Sequence, residues 1–175
     1  YSYGADNPIR FIDVDGMYFD EANEKKAHKM EGQIGKRVGK LEKQITKLEK
    51  KGRDVGNLKD RVTELKQSKT DIANMRSDEK TEYKYDNVGS KDFKALGLVG
   101  PTTISTGTNA KGDGVITMFT EKNMGSQLHE TRHGGQNARG EFNITTAANY
   151  GVADEISAYR TQYSWDGKLE YRDQP

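Results

Sequence analysis

The sequence predicts an α+β protein in which a long helical hairpin precedes a short antiparallel sheet and two shorter helices. Apolar residues recur at helical spacing through residues 20–77, whereas glycine, threonine and β-branched residues become frequent after Tyr83. Helical spacing returns near the C-terminal end. Hydrophobic residues make up 32% of the 175 residues and charged residues 31%, so the chain cannot bury a large core along its whole length. We therefore expect one solvated part and one compact domain.

The helical part, residues 18–80, is predicted to be an antiparallel αα-hairpin. Apolar positions follow steps of four and three in two runs, and the phase slips between them at KKGRDVGN. Gly52 and Gly56 in this stretch favour a turn over one continuous helix. The outer faces are dense in Lys and Glu, which suits water better than lipid. We interpret the hairpin as a coiled-coil-like spacer; the alternative is an arm that binds a partner or disrupts a membrane. The two runs are Ile34, Val38, Leu41, Ile45, Leu48 and Val55, Leu58, Val62, Leu65, Ile72.

The compact domain, residues 81–175, is predicted to begin with strands and to end with helices. The segment PTTISTGTNAKGDGVITMFTEKN indicates two strands joined by a turn at AKGDG, and VITMFT is the strongest strand. Ser126 is the expected N-cap of the next helix. The final helix is expected to start near Asp154 and to run to about Trp165. A short antiparallel sheet followed by two helices belongs to the α+β class.

Composition excludes several classes of function. The formal net charge is +1, which gives no global attraction to nucleic acid. The chain has no cysteine, so disulfides and thiolate metal sites are excluded. No apolar run reaches the length of a transmembrane helix. We therefore expect no nucleic-acid partner and no membrane span.

The motif HETRH, residues 129–133, is the strongest indication of function. Two of the three histidines in the chain lie in it, four residues apart, so they would share one face of a helix. His129 and His133 could therefore bind one zinc ion. Glu130 projects about 100° away, which suits a general base that takes a proton from water. A preceding strand and an acidic residue on a later helix favour this interpretation over a chance match.

The expected third metal ligand is Glu155, 22 residues after His133 on the final helix. An apolar stripe marks the expected buried face of that helix, and Glu155 borders it. Asp154 reads better as an N-cap, Asp166 follows the helix, and Glu141 is only eight residues past His133; all three are alternatives. The stripe consists of Val152, Ile156, Tyr159 and Tyr163.

Two further features of the site stay open at the level of sequence. Tyr159, Arg132 and Arg160 are candidates for stabilising an oxyanion, and Tyr159 is the preferred one. The glycines that follow the second histidine, Gly134 and Gly135, either permit a close approach or end the helix.

The set His129, Glu130, His133 and Glu155 resembles the gluzincin type of zincin metallopeptidase. This resemblance implies a catalytic zinc ion, a protein substrate and a small zincin-like fold. The metzincin pattern is excluded because Gln136 stands where that class has Gly. Gluzincin-type sites often have an Asp four residues after the third ligand, which orients the first histidine. Tyr159 occupies that position here, so the orienting group must come from elsewhere.

Residues 1–17, YSYGADNPIRFIDVDGM, resemble the end of an RHS-repeat core, which reads YGxNNPxxFIDPDGM. Val14 stands where that family usually has Pro. RHS proteins are large β-cage shells, many of which cut themselves just after this motif, near Met17 here. The resemblance implies that the following residues are the toxin of a type VI-secreted effector, delivered into a competing bacterial cell. It also implies a cognate immunity protein, which would most simply cover the cleft.

Together these features predict a zinc metallopeptidase toxin that hydrolyses peptide bonds, with Glu130 as general base. Two alternatives remain. A zinc hydrolase that cleaves an amide in the cell wall would use the same ligands. A non-enzymatic toxin that acts through the helical hairpin would leave the histidines without a role.

Overall fold

The computed structural model of the protein describes residues 19–168. The segment that resembles the RHS core lies outside these residues. The described chain is α+β, as the sequence predicts. Its elements, in chain order, are α1 (Glu21–Glu49), α2 (Gly56–Ser77), β1 (Thr81–Asn87), α3 (Lys91–Ala95), β2 (Thr102–Thr108), β3 (Gly114–Thr120), α4 (Met124–Ala138) and α5 (Val152–Asp166).

The predicted antiparallel hairpin is confirmed. Lys66 of α2 pairs with Glu42 of α1 at 2.9 Å, and Arg76 near the end of α2 pairs with Glu24 near the start of α1 at 2.8 Å. The helices are joined by residues 50–55, where Gly52 adopts a φ of 64° that only glycine reaches without strain. No helix within residues 19–168 is long and apolar enough to cross a membrane.

The hairpin contributes its apolar seam to the same hydrophobic core as the rest of the chain. Leu65, Ile72 and Met75 of α2 are fully buried and belong to one cluster with Met118 of β3 and Leu128 of α4. Burial of this kind is the main source of folding free energy. The apolar residues of the hairpin therefore support α4, the helix that carries the HETRH motif, and are not confined to contacts within the hairpin.

The sheet has the strand order β1-β3-β2. The prediction of antiparallel strands around the AKGDG turn is confirmed for β2 and β3. A third strand, β1, lies parallel to β3 with Tyr83 opposite Ile116, so the sheet is mixed and not wholly antiparallel. The chain leaves β1, passes through α3 and β2, and returns as β3 between the two earlier strands. β3 therefore runs in the same direction as β1.

Helix α4 follows β3 after a short connection, and Asn123 caps the start of the helix. The side-chain oxygen of Asn123 accepts a hydrogen bond from Ser126 N at 2.7 Å, as an N-cap does. The expectation that Ser126 is the cap is wrong, because its hydroxyl instead accepts from Glu121 N at 3.1 Å. Both residues fix the start of the helix that bears the motif.

Helix α5 begins at Val152, two residues before the expected start, and buries a different face from the predicted one. Val152, Ile156 and Tyr159 are 76%, 49% and 53% exposed. The buried positions carry small side chains: Ala158, Thr161 and Ser164. Small side chains let α5 lie close to its neighbours, and the two hydroxyls are satisfied by backbone carbonyls within the helix. The apolar stripe used to place Glu155 was therefore misread, although Glu155 does reach the site.

Candidate metal centre

Helix α4 places the two histidines of the motif one turn apart, with ring centroids separated by 5.1 Å. Their side chains are only 12% and 7% exposed for His129 and His133. Both line one cleft, which we call the histidine cleft. It has a volume of about 530 Å³ and its walls come from the start of β2, from α4, from the connection between α4 and α5, and from α5 itself.

Glu155 of α5 faces both imidazoles. Its Oε2 lies 3.5 Å from His129 Nε2, and its Oε1 lies 3.5 Å from His133 Nε2. One ligand atom from each of the three residues lies within 4.8 Å of the others. Among residues 19–168 these three side chains form the group that could hold a metal ion.

The alternative acidic ligands have other partners or positions. Glu141 pairs with Arg139 at 2.6 Å. Asp154 accepts hydrogen bonds from Gln136 and from the backbone N–H of Gly151. Asp166 lies against Gly125 at the far end of α4. The geometry thus brings together the three residues expected as ligands.

The histidines are held in the neutral form that metal binding requires. Burial, together with the neighbouring His133, lowers the pKa of His129 to about 4, and Glu155 opposes this shift. Burial also lowers the pKa of His133. At neutral pH both imidazoles therefore offer a lone pair.

Glu130 lies in the same cleft and is 3% exposed. Burial, with a smaller contribution from the negative charge of Glu155, raises its pKa to about 7. Thr103 of β2 opposes this shift because its hydroxyl donates to Glu130 Oε2 at 2.7 Å. A carboxylate with a pKa near the working pH suits a general base. Thr103 was not identified from the sequence, since only the fold brings β2 beside α4.

Comparison with known proteins provides no relative. The chain matches no protein-family model, no curated protein and no solved structure. The resemblances to RHS effectors and to gluzincins therefore depend on the sequence motifs, and function must be argued from the side chains of the histidine cleft.

Two tyrosines line the histidine cleft. The ring of Tyr159 meets the His129 ring edge-on, with centroids 4.7 Å apart. Tyr150, which the sequence analysis did not consider, donates its hydroxyl hydrogen bond to Glu155 Oε1. Its ring also packs 5.9 Å from that of His133. The signal that could have identified Tyr150 is an aromatic residue in the connection between the two helices that carry the candidate metal ligands.

The proposal that Arg132 stabilises an oxyanion is wrong. Arg132 is 5% exposed and its guanidinium binds residues outside the cleft: Asp71 at 2.8 Å, Glu64 at 2.9 Å and Ser157 at 3.0 Å. It therefore ties α4 to α2 and α5. Arg160 is exposed and does not line the histidine cleft.

The glycines after the second histidine permit a close approach, and the helix continues to Ala138. A Cβ at Gly134 would lie 2.5 Å from Met75 Sδ, and a Cβ at Gly135 would lie 2.4 Å from Asp71 Cβ. Any larger residue would push α4 away from α2. Gly134 and Gly135 therefore allow α4 to pack closely against α2 and do not end the helix.

Proposed function

We propose that this protein is a zinc-dependent metallopeptidase that hydrolyses peptide bonds in a protein substrate. The observation that carries the proposal is the shared cleft: Glu130 lies beside three side chains that converge as metal ligands. His129, His133 and Glu155 supply two imidazoles and one carboxylate. This donor set, with a further position left open, is typical of catalytic zinc.

The separations between the donor atoms support zinc. Zn–N and Zn–O bonds of about 2.0–2.2 Å at tetrahedral angles place ligand atoms roughly 3.3–3.6 Å apart. The two distances from Glu155 oxygens to histidine Nε2 atoms are 3.5 Å. These two distances run to different oxygens of Glu155, and one ligand atom from each of the three residues lies within 4.8 Å of the others, so the side chains would have to move modestly closer together to hold the ion.

Zinc bound here would polarise the peptide carbonyl and make water a stronger nucleophile. Glu130 accepts a proton from the attacking water and passes it to the leaving amine, for which its pKa of about 7 is suited. The Thr103 hydroxyl holds the carboxylate in place through one oxygen. Tyr159 is the proposed donor to the oxyanion, and Tyr150 offers a second phenol on the same wall.

The sheet favours a polypeptide over a cell-wall substrate. β2 is an edge strand, and its first residues, Thr102 and Thr103, line the histidine cleft. An edge strand offers unpaired backbone groups that an extended peptide can bind as an added strand. A peptide bound in this way would pass beside Glu130.

We further propose that the peptidase is the toxin of an RHS effector, released from its shell and delivered by type VI secretion into a competing cell. This proposal depends on the motif in residues 1–17. A cognate immunity protein would protect the producing cell by covering the histidine cleft.

The proposal is tested with the purified chain, the variant Glu130→Gln and the control Glu79→Gln, which changes an exposed acidic residue. We expect about one zinc per molecule in all three, measured by elemental analysis. Glu130→Gln should reduce cleavage of a protein substrate by about 10²–10⁴-fold, since general-base catalysis contributes that much. The control should cleave like the parent.

Three results would contradict this proposal in different ways. A zinc-free preparation with full toxicity would exclude the enzyme. Loss of zinc in Glu130→Gln would make Glu130 a ligand or a structural residue. Cleavage of purified peptidoglycan without cleavage of proteins would assign the site to a cell-wall hydrolase.

A further inference from the structure

Two buried polar atoms beside the second histidine have no hydrogen-bond partner within residues 19–168. They are His133 Nδ1 and Gln136 Oε1. Gln136 is 4% exposed and His133 5% exposed, so water does not readily replace a protein partner for either atom. Gln136 follows His133 by three positions on α4, so the two side chains lie on the same face of the helix. A possible donor and a possible acceptor, both buried and both without a partner, are therefore neighbours on that face.

The orientation of the Gln136 amide is set by Asp154. Gln136 Nε2 donates to Asp154 Oδ1 at 2.9 Å. An ionised carboxylate only accepts hydrogen bonds, so the NH₂ end of the amide must face Asp154. The other carboxylate oxygen, Asp154 Oδ2, accepts from Gly151 N at 2.9 Å, which holds the carboxylate in turn. This arrangement leaves the amide oxygen for His133.

We propose that Gln136, held by Asp154, is a positioning residue that accepts the Nδ1–H of His133 and keeps the proton off Nε2. Nε2 is the His133 nitrogen that faces Glu155, so this tautomer leaves the metal-binding lone pair free. The inference rests on the proposed metal site and adds a group that prepares it.

The tautomer matters because Glu155 can compete with a metal for His133. With the proton on Nε2, the imidazole would donate to Glu155 Oε1, which lies 3.5 Å away. His133 and Glu155 would then be hydrogen-bonded to each other. Metal binding would require removal of the proton from Nε2 as well as rotation of the side chains. An acceptor at Nδ1 removes this competing state.

His129 has a separate polar neighbour. The side chain of Gln162 on α5 interacts with it and raises its pKa against burial. His129 therefore has a polar neighbour other than Gln136.

The experiment uses a double-mutant cycle in the full chain. Gln136→Leu removes the acceptor. Asp154→Asn keeps the shape, but Gly151 N–H holds the Asn oxygen, so its NH₂ faces Gln136 and forces that amide to turn around. Gln136→Glu alone places two carboxylates together. The double variant Gln136→Glu with Asp154→Asn restores a donor at residue 154 and an acceptor towards His133.

The measurements are zinc affinity by chelator competition, Co²⁺ absorption, and the ¹⁵N NMR shifts of His133 in the metal-free chain. Gln136→Leu and Asp154→Asn should each bind Zn²⁺ about 10–100-fold more weakly than the parent, as is usual when a group that orients a ligand is lost. Gln136→Glu should also bind more weakly, because its carboxylate and that of Asp154 repel each other and the acceptor is displaced from His133. The double variant should recover most of that loss. The control, Gln127→Leu on the same helix, should bind like the parent.

NMR separates this inference from the proposed function. The parent should show the Nδ1–H tautomer of His133, and Asp154→Asn should shift the population towards Nε2–H. Parent-like affinity in Gln136→Leu, or a double variant no tighter than its single variants, would overturn the role of Gln136. A parent chain that binds no zinc would contradict the proposed function, while the tautomer of His133 would still decide whether Gln136 sets it.

Discussion

Glu130 is buried, yet its carboxyl group must be ionised to act as the proposed general base. Its pKa is raised to about 7, chiefly by burial, above the ordinary value of about 4.3 for Glu. A raised folded-state pKa means that the protonated side chain is compatible with the fold. The contribution of protonated Glu130 to the free energy of unfolding is fully present below the pKa of Glu130 in the unfolded chain, and it is lost as pH rises through its pKa in the folded chain.

This shift predicts a pH-dependent effect of Glu130→Gln in the metal-free chain. The neutral amide cannot ionise, so the variant should become more stable relative to the parent as pH rises from about 4.5 to 8. A shift from the ordinary value to about 7 corresponds to roughly 3–4 kcal/mol at the alkaline end. Urea unfolding of chelator-treated protein at several pH values measures this difference.

The matched control for this prediction is Glu79→Gln, since Glu79 is exposed. Its stability relative to the parent should change little over the same range. Identical pH dependence for Glu130→Gln and the parent would show that the Glu130 pKa is not raised in the folded chain.

At the residue scale, spacing along the chain predicted which side chains of α4 share the histidine cleft better than it predicted their neighbours. Residues four apart on a helix share a face wherever the helix lies, so His129 and His133 follow from sequence alone. Thr103 reaches Glu130 across 27 positions, and Gln136 meets Asp154 across 18. Such contacts depend on how elements pack, and a single sequence does not encode packing as a visible pattern.

Helix α4 can lie close to α2 because it has glycine, and therefore no side chain, at the point of contact. At an exposed helical position, Gly→Ala stabilises by about 1 kcal/mol. Gly135 faces α2, where a Cβ would lie 2.4 Å from Asp71 Cβ. That overlap cannot be relieved by rotating a side chain, so the helices would have to separate.

We therefore predict that Gly135→Ala destabilises the chain by about 1–3 kcal/mol, the usual cost of overpacking, despite the better helix propensity of Ala. Gly35→Ala on α1, where a Cβ would meet nothing within 4 Å, should instead be neutral or stabilising. Denaturant unfolding of both variants tests the prediction. A stable Gly135→Ala variant would mean that α4 and α2 do not approach this closely.

At the element scale, the four long helices and the β2–β3 pair followed from periodicity and turn residues, whereas β1, α3 and the buried face of α5 did not. The partner of β1 could not be predicted, because TEYKYDN carries no signal for the direction of the strand beside it. The buried face of α5 was misread because small residues face α2 and α4, and hydrophobicity gives little weight to Ala158 or Thr161. Close packing through small side chains escapes a search for large apolar stripes.

At the scale of the whole molecule, the hairpin and the histidine cleft are linked by buried charge as well as by apolar contacts. Asp71 of α2 is fully buried and pairs with Arg132, which lies between the two histidines of the motif. It pairs with Arg139 near the end of α4 as well. Removing one partner of a buried ion pair typically costs about 3–5 kcal/mol, because the other charge stays buried.

Apolar packing leads to the same expectation. Leu65, Ile72 and Met75 are fully buried, and cutting the chain near residue 80 would expose the surfaces that they cover on α4 and β3. Each large side chain buried there stabilises by roughly 1.5–3 kcal/mol. The loss would approach the total stability of a small domain, about 5–15 kcal/mol.

We therefore predict that residues 81–175 do not fold alone, although the sequence suggests a domain boundary at residue 80. The isolated fragment should lack dispersed NMR signals and should bind zinc weakly, because α4 no longer holds His129 and His133 beside Glu155. Adding residues 19–80 as a separate polypeptide should restore both, with Asp71→Ala in that polypeptide as the matched control that restores neither. Circular dichroism, ¹⁵N NMR and chelator competition measure the outcome against the full chain. If the fragment folds and binds zinc with the affinity of the full chain, the hairpin is a dispensable appendage and the packing of α2 against α4 does not maintain the site.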